Sequence, residues 1–360
     1  MMFQKGLKGI VAVQTGIASV DGDKGELRYR GTLVDEIMDG KTFEEMAYFL
    51  WHGREAKQAE LEDWNNFLIQ HRKIPTHVLE IAKLLPKETP IMDGLRTLVS
   101  AYTEKEFSTA VPEEQAMVLI AAFPVLTALL YRLQQGQPLV EPRHDLSHTA
   151  NYLWMLKGAE PAAAQIEALE TYLNLTMEHG MNASTFAARV TVSTESDMIS
   201  ALTSAIGTMK GPLHGGAPSG VIDLLEEINS PEQIESVILA KLAQGEKIMG
   251  FGHRIYRTED PRSVLLREKC LALAGEDPWL DLAVAAEKEI IRLLNDRKPG
   301  RALYTNVEFY AAAIMRSIDM PPALFTPTFS MARIVGWTAH ILEQQRDNAI
   351  FRPQSEYIGK

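Results

Sequence analysis

Nine stretches of this 360-residue chain repeat apolar residues at intervals of three and four, the spacing that lines one face of an α-helix. They include FEEMAYFLWHG from residue 43, AAAQIEALETYLNLTMEH from 162, ESDMISALTSAIGTMKG from 195 and SVLLREKCLALAG from 263. Many end at glycine or run into proline, as helix C-termini do; Gly53, Gly211 before Pro212, and Gly245 are examples. The clearest β signal is residues 10–31, IVAVQTGIASVDGDKGELRYRG, where two short runs flank a turn-rich VDGDKG. No β-α-β alternation and no GxGxxG after a strand is present, which excludes a dinucleotide-binding parallel sheet. The pattern predicts an all-α fold of more than ten helices with a small N-terminal β hairpin. No internal repeat or low-complexity linker divides it.

Hydrophobic residues make up 46% of the chain and charged residues 23%, which is enough apolar material for one large core or two domains. The net charge of −11 argues against a nucleic-acid partner, which needs a basic footprint. It leaves small anions open, since a few arginines can make one pocket positive. Cys270 is the single cysteine, so no intrachain disulfide forms and a reducing, cytoplasmic setting is expected. The start, MMFQKGLKGIVAV, lacks a long apolar core and reads as a mature N-terminus. The longest apolar run, AMVLIAAFPVLTALLY at 116–131, falls short of the ~20 residues that span a bilayer. Pro124 interrupts it, so a buried helix at a subunit interface is expected rather than a membrane span.

Three of the nine histidines lie among glycines: His179 in MEHGMNASTFAAR, His214 in KGPLHGGAPSG and His253 in KIMGFGHRIYR. Glycines beside a polar side chain let backbone and ligand approach closely. The three are too far apart for one local metal motif. His144 and His148 share an i, i+4 spacing, but no adjacent glutamate or cysteine pair supports a metal there. Arginines cluster too: Arg254, Arg257 and Arg262 follow His253, Arg333 interrupts the apolar FSMARIVGW, and Arg352 lies near the C-terminus. A guanidinium in an apolar run is expensive unless it meets an anion. Glu308, in the apolar LYTNVEFYAAA, poses the same problem with opposite sign. Neutral histidine donors, one carboxylate and several arginines suit proton abstraction beside a carbonyl of an anionic substrate, without metal or covalent nucleophile.

These segments resemble the citrate synthase family. KGPLHGGAPSG is similar to its HGGA block, MGFGHRIYRTEDPR to its GxGHxxY/L…DPR block, TNVEFYAA to PNVDFY, and FTPTFSMARIVGW to FTxxFxxSRxxGW. MEHGMNASTFAARV, YRG at 29–31 and FEEMAYFLWHG match in order and spacing, so the resemblance covers essentially the whole chain. It implies a two-domain helical fold, with residues 1–216 and 326–360 in a large domain and 217–325 in a small, mobile one on the CoA side. It implies no permanently bound cofactor, acetyl-CoA and oxaloacetate as substrates, and the homodimer of the short bacterial and archaeal enzymes. His214 would hydrogen-bond the thioester carbonyl as it becomes an enol, and His253 would donate to the ketone of oxaloacetate. His179, Arg262, Arg333 and a partner subunit's Arg352 would hold the oxaloacetate carboxylates. Arg257 and the backbone of 248–252 would lie near CoA. The carboxylate that takes the acetyl methyl proton falls on position 308, and hydrolysis of citryl-CoA would end the reaction.

The chain departs from that pattern twice, with Glu308 where the family usually has Asp and Thr305 where Pro is usual. One extra methylene moves a carboxylate by roughly 1 Å, and such a displacement can cost about 100-fold in rate. Thr305 frees the local backbone and its donor. A sibling activity, 2-methylcitrate synthesis from propionyl-CoA, and a catalytically weak homologue that binds CoA or oxaloacetate for regulation remain the alternatives.

Overall fold

Residues 3–215, 218–253, 255–273, 277–297 and 303–359 are described by the computed structural model. Among them are seventeen α-helices and one three-stranded antiparallel sheet. The helical expectation holds, and the caps show why the segments start and stop where they do. Thr42 accepts the amide of Glu45, whose carboxylate takes the Thr42 amide at 2.8 Å, so a capping box opens the Phe43–His52 helix. Gly53, at φ 72°, closes it in the left-handed conformation.

The sheet consists of β1 (Ala18–Asp21), β2 (Glu26–Tyr29) and β3 (Thr32–Leu33). Ala18 pairs with Tyr29 and Asp21 with Glu26, while Arg28 pairs with Leu33. Asp21 Oδ1 accepts the amides of Asp23 and Lys24 at 3.1 and 3.0 Å, which shapes the turn. The hairpin is thus where the sequence placed it, but residues 10–17 form no strand and the short β3 was not expected.

The Phe325–Arg346 helix has 17 of its 22 residues buried, the polar Thr328, Ser330, Arg333, Thr338, His340 and Gln344 among them. Around it pack Pro112–Gln134, Ala163–Thr176, Ala183–Val192 and Met198–Met209. Pro124 does not interrupt the Pro112–Gln134 helix, which runs 23 residues with its middle buried. The lost backbone bond is local, whereas burial of residues on both sides of the proline holds the helix together. It is long and apolar enough to cross a membrane, but most of that apolar surface is inside the protein. A second set of helices, Pro218–Ile228, Pro261–Leu273 and Val307–Ser317, packs together, and the last two rest on Ala163–Thr176.

Candidate active site

One glycine brings two distant site residues together. A Cβ on Gly336 would lie 2.4 Å from Glu178 Oε2 and 2.6 Å from the Met177 carbonyl, so only glycine lets the 177–179 segment lie on the central helix. From the other side Tyr29 fixes the same segment: its hydroxyl accepts the Glu178 amide at 3.2 Å and lies 3.1 Å from the Asn174 and Glu178 carbonyls. His179, next in the chain, is buried, with Nε2 3.1 Å from the Tyr256 hydroxyl. Its ring meets that of His253 edge to face at a centroid distance of 5.5 Å.

His253 follows two glycines in the left-handed region, Gly250 and Gly252. A Cβ on Gly250 would come within 2.8 Å of the Phe309 ring, which packs this turn on the Val307–Ser317 helix. The imidazole Nδ1 accepts the amides of Ile255 and Tyr256, both at 3.0 Å. A backbone N–H can only donate, so Nδ1 carries no proton and Nε2–H is the free donor. Burial, then the Arg262 charge, pushes the imidazole pKa down to about 4, so the ring is neutral at pH 7.

His214 is built by the same logic with the ring reversed. Its turn closes through His214 N–H to the Gly211 carbonyl at 2.9 Å, and a Cβ on Gly215 would strike the Met209 carbonyl at 2.5 Å. Here Nε2 accepts the Ser184 amide at 3.3 Å and sits 2.8 Å from the Ser184 hydroxyl, leaving the proton on Nδ1. Trp337 Nε1 donates to that hydroxyl at 3.0 Å. Burial, with Arg333 adding to it, lowers the pKa to about 4. His179 is pushed further down, first by burial and then by Arg262 and Arg333. Three neutral imidazoles therefore share one region of positive charge.

Arg333 lies within the core, 3% exposed, and its Nε and Nη1 have no hydrogen-bond partner. The Phe329 ring lies 4.7 Å beneath its guanidinium. Burial draws its pKa down to about 10 against the pull of Glu178. An unpaired, desolvated guanidinium is costly unless an anion completes it. Arg262 is also buried, but it is already held: Nε and Nη2 donate to Asp260 at 3.0 and 2.7 Å. Asp260 accepts the Val307 amide as well, at 3.2 Å, so this ion pair fixes the start of the helix that carries Glu308.

Glu308 occupies the first turn of that helix, where Asn306 Oδ1 accepts its amide at 3.0 Å. Its carboxylate is only partly exposed. Burial, with Asp260 adding to it and Arg262 opposing, pushes its pKa up to about 7. A carboxylate so poised suits a base working near neutrality.

Two expected residues stand outside this cluster. Arg257 is exposed, 3.4 Å from Asp23 of the hairpin turn. Arg352 is exposed in the C-terminal tail, beside Phe351, whose amide donates to Ser193 Oγ at 3.2 Å. Arg254, and Gly216 and Ala217 of the HGGA block, lie outside the described residues. His148 is buried and stacked on Phe43 at 4.4 Å, a packing role. Sequence analysis missed Tyr256, Ser184, Asp260 and Tyr29 as partners of the site. Tyr256 and Asp260 were within the same glycine-and-arginine segment, and Ser184 follows the N-cap Asn182, so nearness in the chain was the available signal.

Neutral donors, an unpaired buried guanidinium and a carboxylate of raised pKa, gathered by helices, define an acid–base enzyme for a small anion. The family model described as citrate synthase, C-terminal domain, matches residues 6–354. Citrate synthase 2 of Bacillus subtilis is 39% identical over 100% of this chain and 96% of its own length. The citrate/2-methylcitrate synthase of the same organism is 36% identical over 99% and 96%. The solved structure of citrate synthase from Thermoplasma acidophilum, in ternary complex with carboxymethyl coenzyme A and oxaloacetate, superposes with a TM-score of 0.92 at 29% identity, covering 100% of this chain and 97% of that one. The chain belongs to the citrate synthase family.

Proposed function

We propose that the site condenses acetyl-CoA with oxaloacetate to citrate and CoA, an acyl transfer in which the acyl group becomes an alkyl group. The Glu308 carboxylate takes a proton from the acetyl methyl, and His214 Nδ1–H stabilises the enol oxygen that forms. The enol carbon attacks the ketone of oxaloacetate from the si face, and the ketone oxygen takes its proton from His253 Nε2. Water then cleaves the thioester of citryl-CoA, releasing citrate and free thiol. His179, Arg262 and Arg333 bind the oxaloacetate carboxylates, and Arg352 of the partner subunit in a homodimer joins them. Arg257, at the rim, meets the anionic part of CoA.

The observation that carries this proposal is the pair of pinned imidazoles. His214 and His253 each accept backbone N–H groups on one ring nitrogen, which leaves a neutral donor on the other. Two fixed donors serve two oxygens that gain charge in one reaction. In the resulting arrangement residues 217–325 form the small domain that closes on 1–216 and 326–360. The lone buried thiol of Cys270 accords with a cytoplasmic setting. Thiol release on mixing acetyl-CoA and oxaloacetate tests the proposal; release no faster than background from folded protein would leave a binding homologue. Propionyl-CoA enters the same test because one relative carries both names, and a clearly higher kcat/KM for it would reassign the enzyme to 2-methylcitrate synthesis.

A further inference from the structure

Glu287 is a buried carboxylate on the Pro278–Arg297 helix, an element that carries none of the imidazoles or arginines of the site. Its Oε1 accepts the Thr305 hydroxyl at 2.7 Å and its Oε2 accepts the Tyr310 hydroxyl at 2.7 Å. Those two residues lie three before and two after Glu308 in the chain. The Arg267 guanidinium, 3.7 Å from Oε2, supplies the opposite charge. We propose that Glu287 is a positioning residue for Glu308, gripping the chain on both sides of the base through two hydroxyls.

The opposite side of this segment is held as firmly. Asn306 N–H donates to the Gly250 carbonyl at 2.9 Å, and Gly252 N–H to the Tyr304 carbonyl at 2.8 Å. Asn306 Nδ2 donates to the Gly252 carbonyl at 3.1 Å. Residues 304–306 thus lie between the strand-like 250–252 segment, which leads into His253, and the Glu287 carboxylate. The Glu287 support is made by side chains alone, so it is removable without altering the backbone that places His253. A carboxylate beside a guanidinium accepts hydrogen bonds more strongly than a neutral oxygen does, and both hydroxyls reach it at 2.7 Å. It holds the first turn of the Val307–Ser317 helix at both ends.

This inference rests on Glu308 being the base, and its test separates the two. The unsubstituted chain must release thiol, which tests the function itself. Glu287→Gln then lowers kcat by about 10- to 100-fold, with KM for oxaloacetate changed less than about twofold. Glu308→Asp, combined with it, costs much less than in the parent, because the fit it disturbs is already lost, whereas His253→Ala costs the same in both backgrounds. Thr305→Val and Tyr310→Phe, chosen in case the Glu287 variant folds poorly, each lower kcat and add little to Glu287→Gln. Unchanged kcat in all three single variants overturns the proposal. So does a loss that multiplies independently with Glu308→Asp, since that marks a merely structural role.

Discussion

The Ser184 amide and hydroxyl both face Nε2 of His214, at 3.3 and 2.8 Å. This single residue settles which imidazole nitrogen is left free to donate. It also ties the histidine to the core, because Trp337 Nε1 donates to the same hydroxyl. Ser184→Ala keeps the amide contact and loses the hydroxyl. We expect kcat to fall by about 10-fold, a fraction of a full acid–base contribution. The stranded indole N–H costs about 1–3 kcal/mol of stability. Steady-state kinetics and a urea titration on the same preparation check both, and an unaltered kcat would show that the amide alone holds the ring and the hydroxyl adds nothing to catalysis.

Arg333 offers the sharpest separation of binding from folding. Its Nε and Nη1 are unpaired inside the protein, so the charge is destabilising until an anion arrives. Arg333→Leu should raise KM for oxaloacetate by at least about 100-fold, as expected when a buried charge partner is lost. The free protein should unfold no more readily than the parent. Oxaloacetate at 100 times its Kd should stabilise the parent by about 2.7 kcal/mol and leave the variant unmoved. Thermal unfolding with and without oxaloacetate reads this directly. A variant that loses stability while keeping its oxaloacetate shift would place the anion elsewhere.

Glu308 links pH to both rate and stability, with opposite signs. The proposed role as base requires the ionised form, so kcat/KM should rise with pH through about 7, the value to which burial pushes it. Folding raises its pKa above the ordinary glutamate value, so the folded state holds this proton more tightly than the unfolded chain. Its contribution is present in full below about 4.5 and is lost as pH rises to about 7, by at most about 3 kcal/mol. His214 and His253 act in the other direction, because their depressed values make the folded state lose stability as pH falls from about 6.5 to about 4. The difference between parent and Glu308→Gln isolates the carboxylate. The variant should be inactive, and it should gain on the parent in urea midpoint between pH 5 and 8. A constant difference across that range would show that the carboxylate is not strained by folding.

How much of this was legible beforehand follows from the kind of signal each feature leaves. Helices announce themselves through periodicity, and the Phe43–His52 helix could be placed from its apolar face and Gly53 alone. His179, His214, His253 and Arg333 were findable because glycines or an apolar run made them conspicuous. Glu287 was not, since a glutamate on the amphipathic Pro278–Arg297 helix looks like any solvated residue until Thr305 and Tyr310 are placed beside it. Thr305 itself was expected to loosen the chain where proline is usual, and the structure shows it tied down instead. Pro124 was overweighted for a related reason: the cost of a proline is local and visible in sequence, whereas the burial that outweighs it is tertiary.

Arg352 is the one proposed carboxylate ligand that its own chain leaves exposed, in a tail that follows the Phe325–Arg346 helix. If it completes the neighbouring site, the defect must be complemented between subunits. Arg352→Ala and His214→Ala should each be nearly inactive alone. In a mixed dimer, the subunit with intact His214 receives the intact Arg352 of its partner, and one whole site is restored. Random reassortment makes half of the dimers mixed, each with one of two sites working, so activity should return to about a quarter of the parental value. Denaturing and refolding the two variants together, then separately, makes the comparison. Activity that stays at the sum of the separate preparations, in a mixture shown to contain mixed dimers, would confine Arg352 to its own chain and remove it from the oxaloacetate site.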